Sequence, residues 1–254
     1  MNKKNIIKFT LDIVMAVLFI TFFNKNLISF KFHIISGYIF GGFILFHLFL
    51  NRKWIINITK RLFDKKLNLR LKISYVLSIL LFLSIFLIII SGRLIMKSTT
   101  YDRVMFWKML HFGSSYLSIA ITGIHIGIYW KFIMNMFKKI FKIKQGGNIS
   151  KIIINISVIL VLSLGIYTTY KQDYLAKTTN TLKYVVQHIK PQDIEQPEDN
   201  GYKKESVSFI NLATTYGSII SVFGIVTYYS DKGIKLYSKS NLNKEDNKKN
   251  SVKL

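Results

Sequence analysis

Four windows of this chain contain no Asp, Glu, Lys or Arg: Ile73–Gly92, Met109–Trp130, Ile152–Tyr170 and Ser206–Ser230. Each is about 19–25 residues long, and a helix needs roughly 20 apolar residues to cross the hydrocarbon layer of a bilayer. Phe32–Asn51 is a fifth such window, and Lys8–Asn24 is a weaker sixth with Asp12 near its start. Charge is therefore collected between apolar runs instead of being spread along the chain. In lipid, a single-chain segment satisfies its own backbone hydrogen bonds only as a helix. The expected fold class is an all-α integral membrane protein with six transmembrane helices.

The formal charge of +24 would suggest nucleic acid as a partner of a soluble protein. Its distribution points to the bilayer instead, and no nucleic-acid partner is expected. Six spans divide the basic residues into alternating groups. The N-terminus, the 51–72 and 131–151 loops and the C-terminal tail hold 24 of the 36 Lys and Arg residues. The 24–32, 91–108 and 171–205 connections hold the other 12, together with seven of the twelve acids. This is the positive-inside pattern. It places both termini in the cytoplasm and predicts a multi-pass protein of a prokaryotic plasma membrane. The opening "MNKKNIIKFTLDIVMAVLFITFF" resembles a signal peptide but lacks an A-x-A-like cleavage site, so it reads as an uncleaved first span. With no cysteine in the chain, disulfides, thiolate iron–sulfur ligation and covalent C-x-x-C-H haem attachment are excluded on this chain.

The windows give an organisation. Helices at about 6–24, 32–51, 73–92 and 109–130 form a four-helix bundle within residues 1–135. Two further helices lie within 152–230, joined by an extracytoplasmic loop at 171–205. That loop holds both prolines and reads as irregular. The polar, lysine-rich tail, 231–254, reads as disordered.

An internal repeat lies inside this plan. Phe32–Ile55 aligns without gaps on Leu110–Ile133 at an offset of 78. Six positions are identical: His33/His111, Ser36/Ser114, Tyr38/Tyr116, His47/His125, Lys53/Lys131 and Ile55/Ile133. The second and fourth spans are thus duplicated helices running in the same direction, each ending on an aromatic and basic edge at Trp54 or Trp130 that suits the inner interface.

The repeat carries four of the five histidines. A histidine within a span is costly in lipid and usually faces the protein interior, where it marks function. Fourteen residues at 100° fall 40° short of four turns, so His33 and His47 share a face about 21 Å apart along the axis, as do His111 and His125. On parallel neighbouring helices, His33 would face His111 near the outer surface and His47 would face His125 nearer the cytoplasm. Two imidazoles leave a bare metal incompletely ligated, and the chain supplies no Cys and no paired carboxylates for a tetrahedral zinc set. A haem brings four equatorial nitrogens and asks for two axial ligands. The simplest reading is two non-covalent, b-type, bis-histidine haems, with His33/His111 as outer and His47/His125 as inner iron ligands. The plainer reading makes the four histidines hydrogen-bonded packing residues whose spacing descends from the duplication.

Other residues carry weaker signals. Gly37 and Gly41 form a G-x-x-x-G, which reads first as close helix packing and second as room for a porphyrin; Gly113, Gly123 and Gly127 are read the same way. Arg93, Lys97, Arg103 and Lys108 could pair with outer propionates or simply coat a solvated loop. Arg52, Lys53 and Lys131 could do the same for the inner haem, although positive-inside bias alone would put them there. Tyr38 and Tyr116 read as packing residues, and His188 as a solvated loop residue. Asp12 is either an interfacial cap or a polar partner inside the bundle.

Several segments together resemble the flavinylation-associated cytochromes, a family formerly known as a domain of unknown function. They are "LDIVMAVLF" (Leu11–Phe19), His33…His47 closing on "LNRKW" (Leu50–Trp54), "SGRL" (Ser91–Leu94), and Trp107-x-x-x-His111 followed by "HIGIYW" (His125–Trp130). The resemblance covers roughly residues 5–135 and extends only loosely over the last two spans. The paired histidine helices are also similar to the cytochrome b subunits of quinone-oxidising complexes. The resemblance implies a membrane cytochrome that passes electrons from the cytoplasmic or quinone side to an extracytoplasmic, FMN-carrying flavoprotein. The chain has no D-G-x-T-G-A-T-like attachment motif, so no covalently bound flavin is expected on it and the flavin sits on a separate partner.

The leading expectation is an electron-transfer cytochrome, or the membrane subunit of an oxidoreductase, with membrane lipid, a quinone or other membrane donor and the flavoprotein as partners. It needs no acid, base or nucleophile. One alternative is a quinone- or ferric-reducing oxidoreductase acting by itself, for which no substrate pocket is visible in the sequence. Another is a non-redox scaffold or pH sensor whose histidines titrate.

Overall fold

The computed structural model describes residues 3–142, 147–188 and 208–251. They form α-helices throughout: α1 Lys3–Thr21, α2 Phe30–Arg61, α3 Leu69–Lys97, α4 Tyr101–Ile140, α5 Asn148–Lys171, α6 Tyr174–His188 and α7 Phe209–Ser251. Side chains are described to Lys235 and at Tyr237 in α7.

Several helix boundaries follow from local chemistry. Ser29 stands in extended conformation ahead of α2, and its hydroxyl accepts from the Phe32 N–H at 3.0 Å. Asn68 does the same for Arg70 at the start of α3, at 2.9 Å. The α2–α3 turn is held by Asp64, whose carboxylate accepts from the Lys66 N–H at 2.8 Å. Between α5 and α6 the chain turns through Asp173 at φ 48°, a left-handed position that Asp tolerates better than most residues.

Five helices are long and apolar enough to cross a membrane: Phe30–Arg61, Leu69–Lys97, Tyr101–Ile140, Ile152–Lys171 and Phe209–Lys235. The weaker sixth, α1, is not among them. Its 19 residues include Lys3, Lys4, Lys8 and Asp12, which shorten its apolar run. The long helices outrun the charge-free windows at one or both ends. At 40 residues, α4 measures about 60 Å, roughly twice the hydrocarbon thickness. The windows mark where charge is excluded, and a helix has no reason to stop there.

Two expectations need correction. The connection after α5 is helical over Tyr174–His188, so the 171–205 segment is not irregular throughout; its proline-bearing part lies outside the described residues. The tail expected to be disordered continues α7 through Ser251. Helix α6 is amphipathic in a way that a search for apolar runs misses. Tyr174, Thr178, Thr181, Leu182, Tyr184, Val185 and His188 are its buried or half-buried positions, and all but Tyr184 lie on one stripe. That stripe runs i, i+4, i+7, i+8, i+11, i+14 and is built partly from threonine.

Six helices meet in one core. Phe19, Phe40, Ile85, Ile119, Tyr174 and Ile219 come from α1, α2, α3, α4, α6 and α7 and pack together. Helix α4 is the hub, packed on α3, α6 and α7. It approaches α7 through small residues. A Cβ on Gly127 would lie 2.5 Å from the Gly224 carbonyl oxygen, and one on Gly123 2.5 Å from that of Ile220. Helices α5 and α7 are joined by the Thr168 and Ser218 hydroxyls at 2.7 Å. Next to Gly127, the Ile128 carbonyl of α4 accepts from Arg70 at 2.6 Å, and Arg70 also pairs with Asp231 of α7 at 2.9 Å. Outside this core the surface is apolar: Leu83, Phe86, Ile152, Ile159, Leu160 and Ile166 are all exposed. With the five long apolar helices, such a shell is that of a multi-pass membrane protein.

Candidate functional site

Helices α2 and α4 carry the four repeat histidines, yet they do not pack backbone against backbone along their length; α3 packs on both. Side chains reach across the gap. The rings of His33 and His111 face each other with centroids 6.3 Å apart and planes at 59°. Two imidazoles on opposite sides of one metal have centroids about 6.4 Å apart, given a metal–nitrogen bond of about 2 Å and about 1.2 Å from nitrogen to ring centre. The observed separation therefore fits ligands of one shared centre, and it is too long for a direct hydrogen bond between the rings.

The surroundings of this pair come from α1 and α3. His111 Nδ1 donates to the Ile88 carbonyl at 2.9 Å and lies 3.3 Å from the Ser91 hydroxyl. A carbonyl only accepts, so Nδ1 carries the proton and Nε2 keeps its lone pair. Gly92 makes room for the ring: a Cβ there would lie 3.3 Å from His111 Cε1. The ring of Phe22, just after α1, meets His33 edge-on at 5.7 Å. Nδ1 of His33 is buried and has no hydrogen-bond partner. The duplicated serines below these histidines, Ser36 and Ser114, are both 4 % exposed, so the repeat keeps its buried face. The duplicated tyrosines diverge. Tyr38 is exposed, whereas Tyr116 packs on the core beside Tyr174.

The second pair lies toward the other end of the same helices. No ring contact joins His47 and His125 among the described residues, although each is within electrostatic reach of the other. His47 Nδ1 meets Asp12 Oδ1 of α1 at 2.8 Å. Asp12 is thus a polar partner inside the bundle. The Asn51 amide donates to the His47 carbonyl at 2.9 Å and approaches His47 Nε2 at 3.3 Å. Lys8 Nζ in turn donates to Asn51 Oδ1 at 2.5 Å. With a carboxylate on Nδ1, the His47 lone pair sits on Nε2, as it does in His111. His125 Nδ1 is buried without a partner, and its ring lies 4.9 Å from that of Tyr129.

Two of the four imidazoles thus have Nδ1 fixed by an acceptor, and two have a buried Nδ1 that nothing satisfies. Orphaned buried nitrogens on ligand-type residues are the exception in a folded protein. No group of three His, Cys, Asp or Glu side chains able to hold an ion by itself occurs among the described residues. The donor set suits a group that brings its own equatorial ligands.

Gly37 and Gly41 do not form a helix crossing. A Cβ on Gly37, one turn from His33, would meet nothing within 4 Å, while one on Gly41 would touch only Ile89 Cδ1, at 2.9 Å. Gly123 and Gly127, by contrast, serve the α4–α7 contact, and Gly113 faces Thr181 of α6 at 3.1 Å. Of the five glycines read this way, Gly37 is the one with open space around it.

One feature escaped the sequence. A cleft of about 520 Å³ opens where α3 ends, α4 begins and α6 ends. Leu94, Lys97, Ser98, Thr99, Asp102, Arg103, Phe106, Trp107 and His188 line it. Trp107 is one turn from His111. His188 closes α6, with its Nδ1 donating to the Tyr184 carbonyl at 2.9 Å and its ring stacked on Tyr184 at 3.7 Å, so it is no free loop residue. Only the i, i+4 step from Trp107 to His111 was legible beforehand. The other lining residues come from the end of α3, the start of α4 and the turn between them, except His188, which the docking of α6 brings there.

The chain matches no family model, no characterised protein and no solved structure.

Proposed function

We propose that the chain is a transmembrane electron conduit, with six spans counting α1 and two non-covalent b-type haems. His33/His111 and His47/His125 would be their axial ligands. In this reading electrons pass from the cytoplasmic or quinone side to an extracytoplasmic, FMN-carrying acceptor. The observation that supports it most is the facing of His33 and His111 at 6.3 Å across two helices whose backbones make little close contact. A haem bound there would supply a one-electron iron couple. The chain's own residues hold and orient. The Ile88 carbonyl and Asp12 keep the protons of His111 and His47 on Nδ1, leaving Nε2 free to ligate. Asn51 gives up its long contact with His47 Nε2 and keeps its bond to the His47 carbonyl. The core excludes water and lowers the local dielectric, which helps to set potential.

The cleft beside Trp107 favours a second reading, a reductase acting on a quinone or ferric chelate by itself. It requires turnover by the purified chain that falls when Trp107 or Arg103 is replaced.

Oxidised and dithionite-reduced spectra of the detergent-purified protein, with a pyridine haemochrome count, test the first reading. Two b-type haems per chain are expected. His33→Ala or His111→Ala removes one, and His47→Ala or His125→Ala the other. A colourless protein from haem-replete cells would leave the histidines as packing or proton-sensing groups.

A further inference from the structure

Each histidine pair joins a residue to its own duplicate, but the surroundings of the two pairs differ. At one end the partner of the ligand-bearing helices is anionic: Asp12 Oδ1 sits 2.8 Å from His47 Nδ1. Asp12 also acts electrostatically on His125. At the other end the partners of His111 are neutral, the Ile88 carbonyl and the Ser91 hydroxyl. Besides His111 itself, the side-chain charge acting on His33 there is a cation, Lys25. The difference comes from two helices outside the repeat: α1 brings Asp12 to one end, and α3 brings Ile88 and Ser91 to the other.

A carboxylate on Nδ1 makes an imidazole a more basic ligand and favours the more highly charged state of whatever Nε2 binds. A neutral carbonyl does this less, and a nearby ammonium does the opposite. Resting on the conduit reading, we propose that Asp12 is a positioning residue that makes the His47/His125 centre the lower-potential one. Electron movement then has a built-in downhill direction, from the Asp12 end of the bundle toward the Lys25 end. Lys8 works against Asp12: it lies one turn before it on α1, within its electrostatic reach, and it also donates to Asn51 beside His47. Arg52 stacks on Phe49 and donates to its carbonyl, away from the network. The side chains of His47 and Asp12 are 30 % and 44 % exposed, so solvent weakens the effect. An outer partner of this kind changes metal affinity about 10–100-fold. The lower end applies here, about tenfold between oxidation states, which is about 59 mV for one electron.

The test is a redox titration of the full chain in nanodiscs, comparing wild type with Asp12→Asn, Asp12→Glu and Lys8→Gln. Two haems with separate midpoints are expected. Asp12→Asn should keep both haems and raise only the lower midpoint, by about 59 mV. Asp12→Glu should restore it, and Lys8→Gln should move it further down, an effect that loss of structure does not produce. The inference fails if the lower midpoint stays put in Asp12→Asn and Lys8→Gln, or if the higher one moves instead. A coloured protein with unmoved midpoints sinks this inference alone; a colourless wild type sinks the conduit reading with it.

Discussion

At the scale of single residues, glycines that look alike in the sequence differ in what surrounds them. Gly127 sits against the α7 backbone, with 2.5 Å between its virtual Cβ and the Gly224 oxygen. Neither backbone can yield easily, so Gly127→Val should destabilise the protein by about 1–3 kcal/mol through overpacking. Gly37 has open space around it, so Gly37→Ala should leave the thermal midpoint within error. A bulky Gly37→Leu should instead lower the haem count at the His33/His111 pair, if that space is what a porphyrin fills. Thermal melts in detergent, paired with haemochrome counts, separate the two effects. Histidine identity and spacing were plain from the sequence. The split between Asp12 and Ile88 as partners was not, because each lies on another helix, 35 and 23 residues away.

At the scale of elements, α6 shows how a segment can be helical without an apolar run. Its buried stripe docks on the first half of α4. The Tyr174 hydroxyl donates to the Tyr116 carbonyl at 2.6 Å. Burial pushes the Tyr174 phenol up to about 12, so it stays a donor at any working pH. Val185 is 8 % exposed on the same stripe. Val185→Asp should detach α6, because a carboxylate there loses about 1.5–3 kcal/mol of apolar burial and stays in water only by undocking. Limited proteolysis should then cut within 174–188 first, while the α4–α7 core resists. If the cleft beside Trp107 serves a substrate, this variant should also abolish that turnover without removing haem. Unchanged protease resistance would show that α6 does not depend on the stripe.

For the whole molecule, sidedness follows from charge. The absence of cysteine makes it directly measurable, since every introduced thiol is a single reporter. Phe63→Cys in the α2–α3 turn and Phe141→Cys after α4 should resist a membrane-impermeant maleimide in intact cells, and Thr99→Cys between α3 and α4 should react. Labelling of the first two and protection of the third would invert the topology, and with it the direction of the proposed conduit relative to the cell.

The sequence by itself determined the helical membrane class, the approximate place of the five long apolar helices, the repeat and the shared face of each histidine pair. These are local properties, set by hydrophobic length and by the 100° turn of a helix. Tertiary structure alone decided which helices touch. It put α1 and α3 beside the histidines, turned Gly123 and Gly127 to α7 and brought α6 back onto α4 to form the cleft. Those outcomes depend on which faces fit at close range, a relation between distant segments that periodicity within one segment does not encode. The chemical difference between the two histidine pairs arises there, in neighbours outside the repeat.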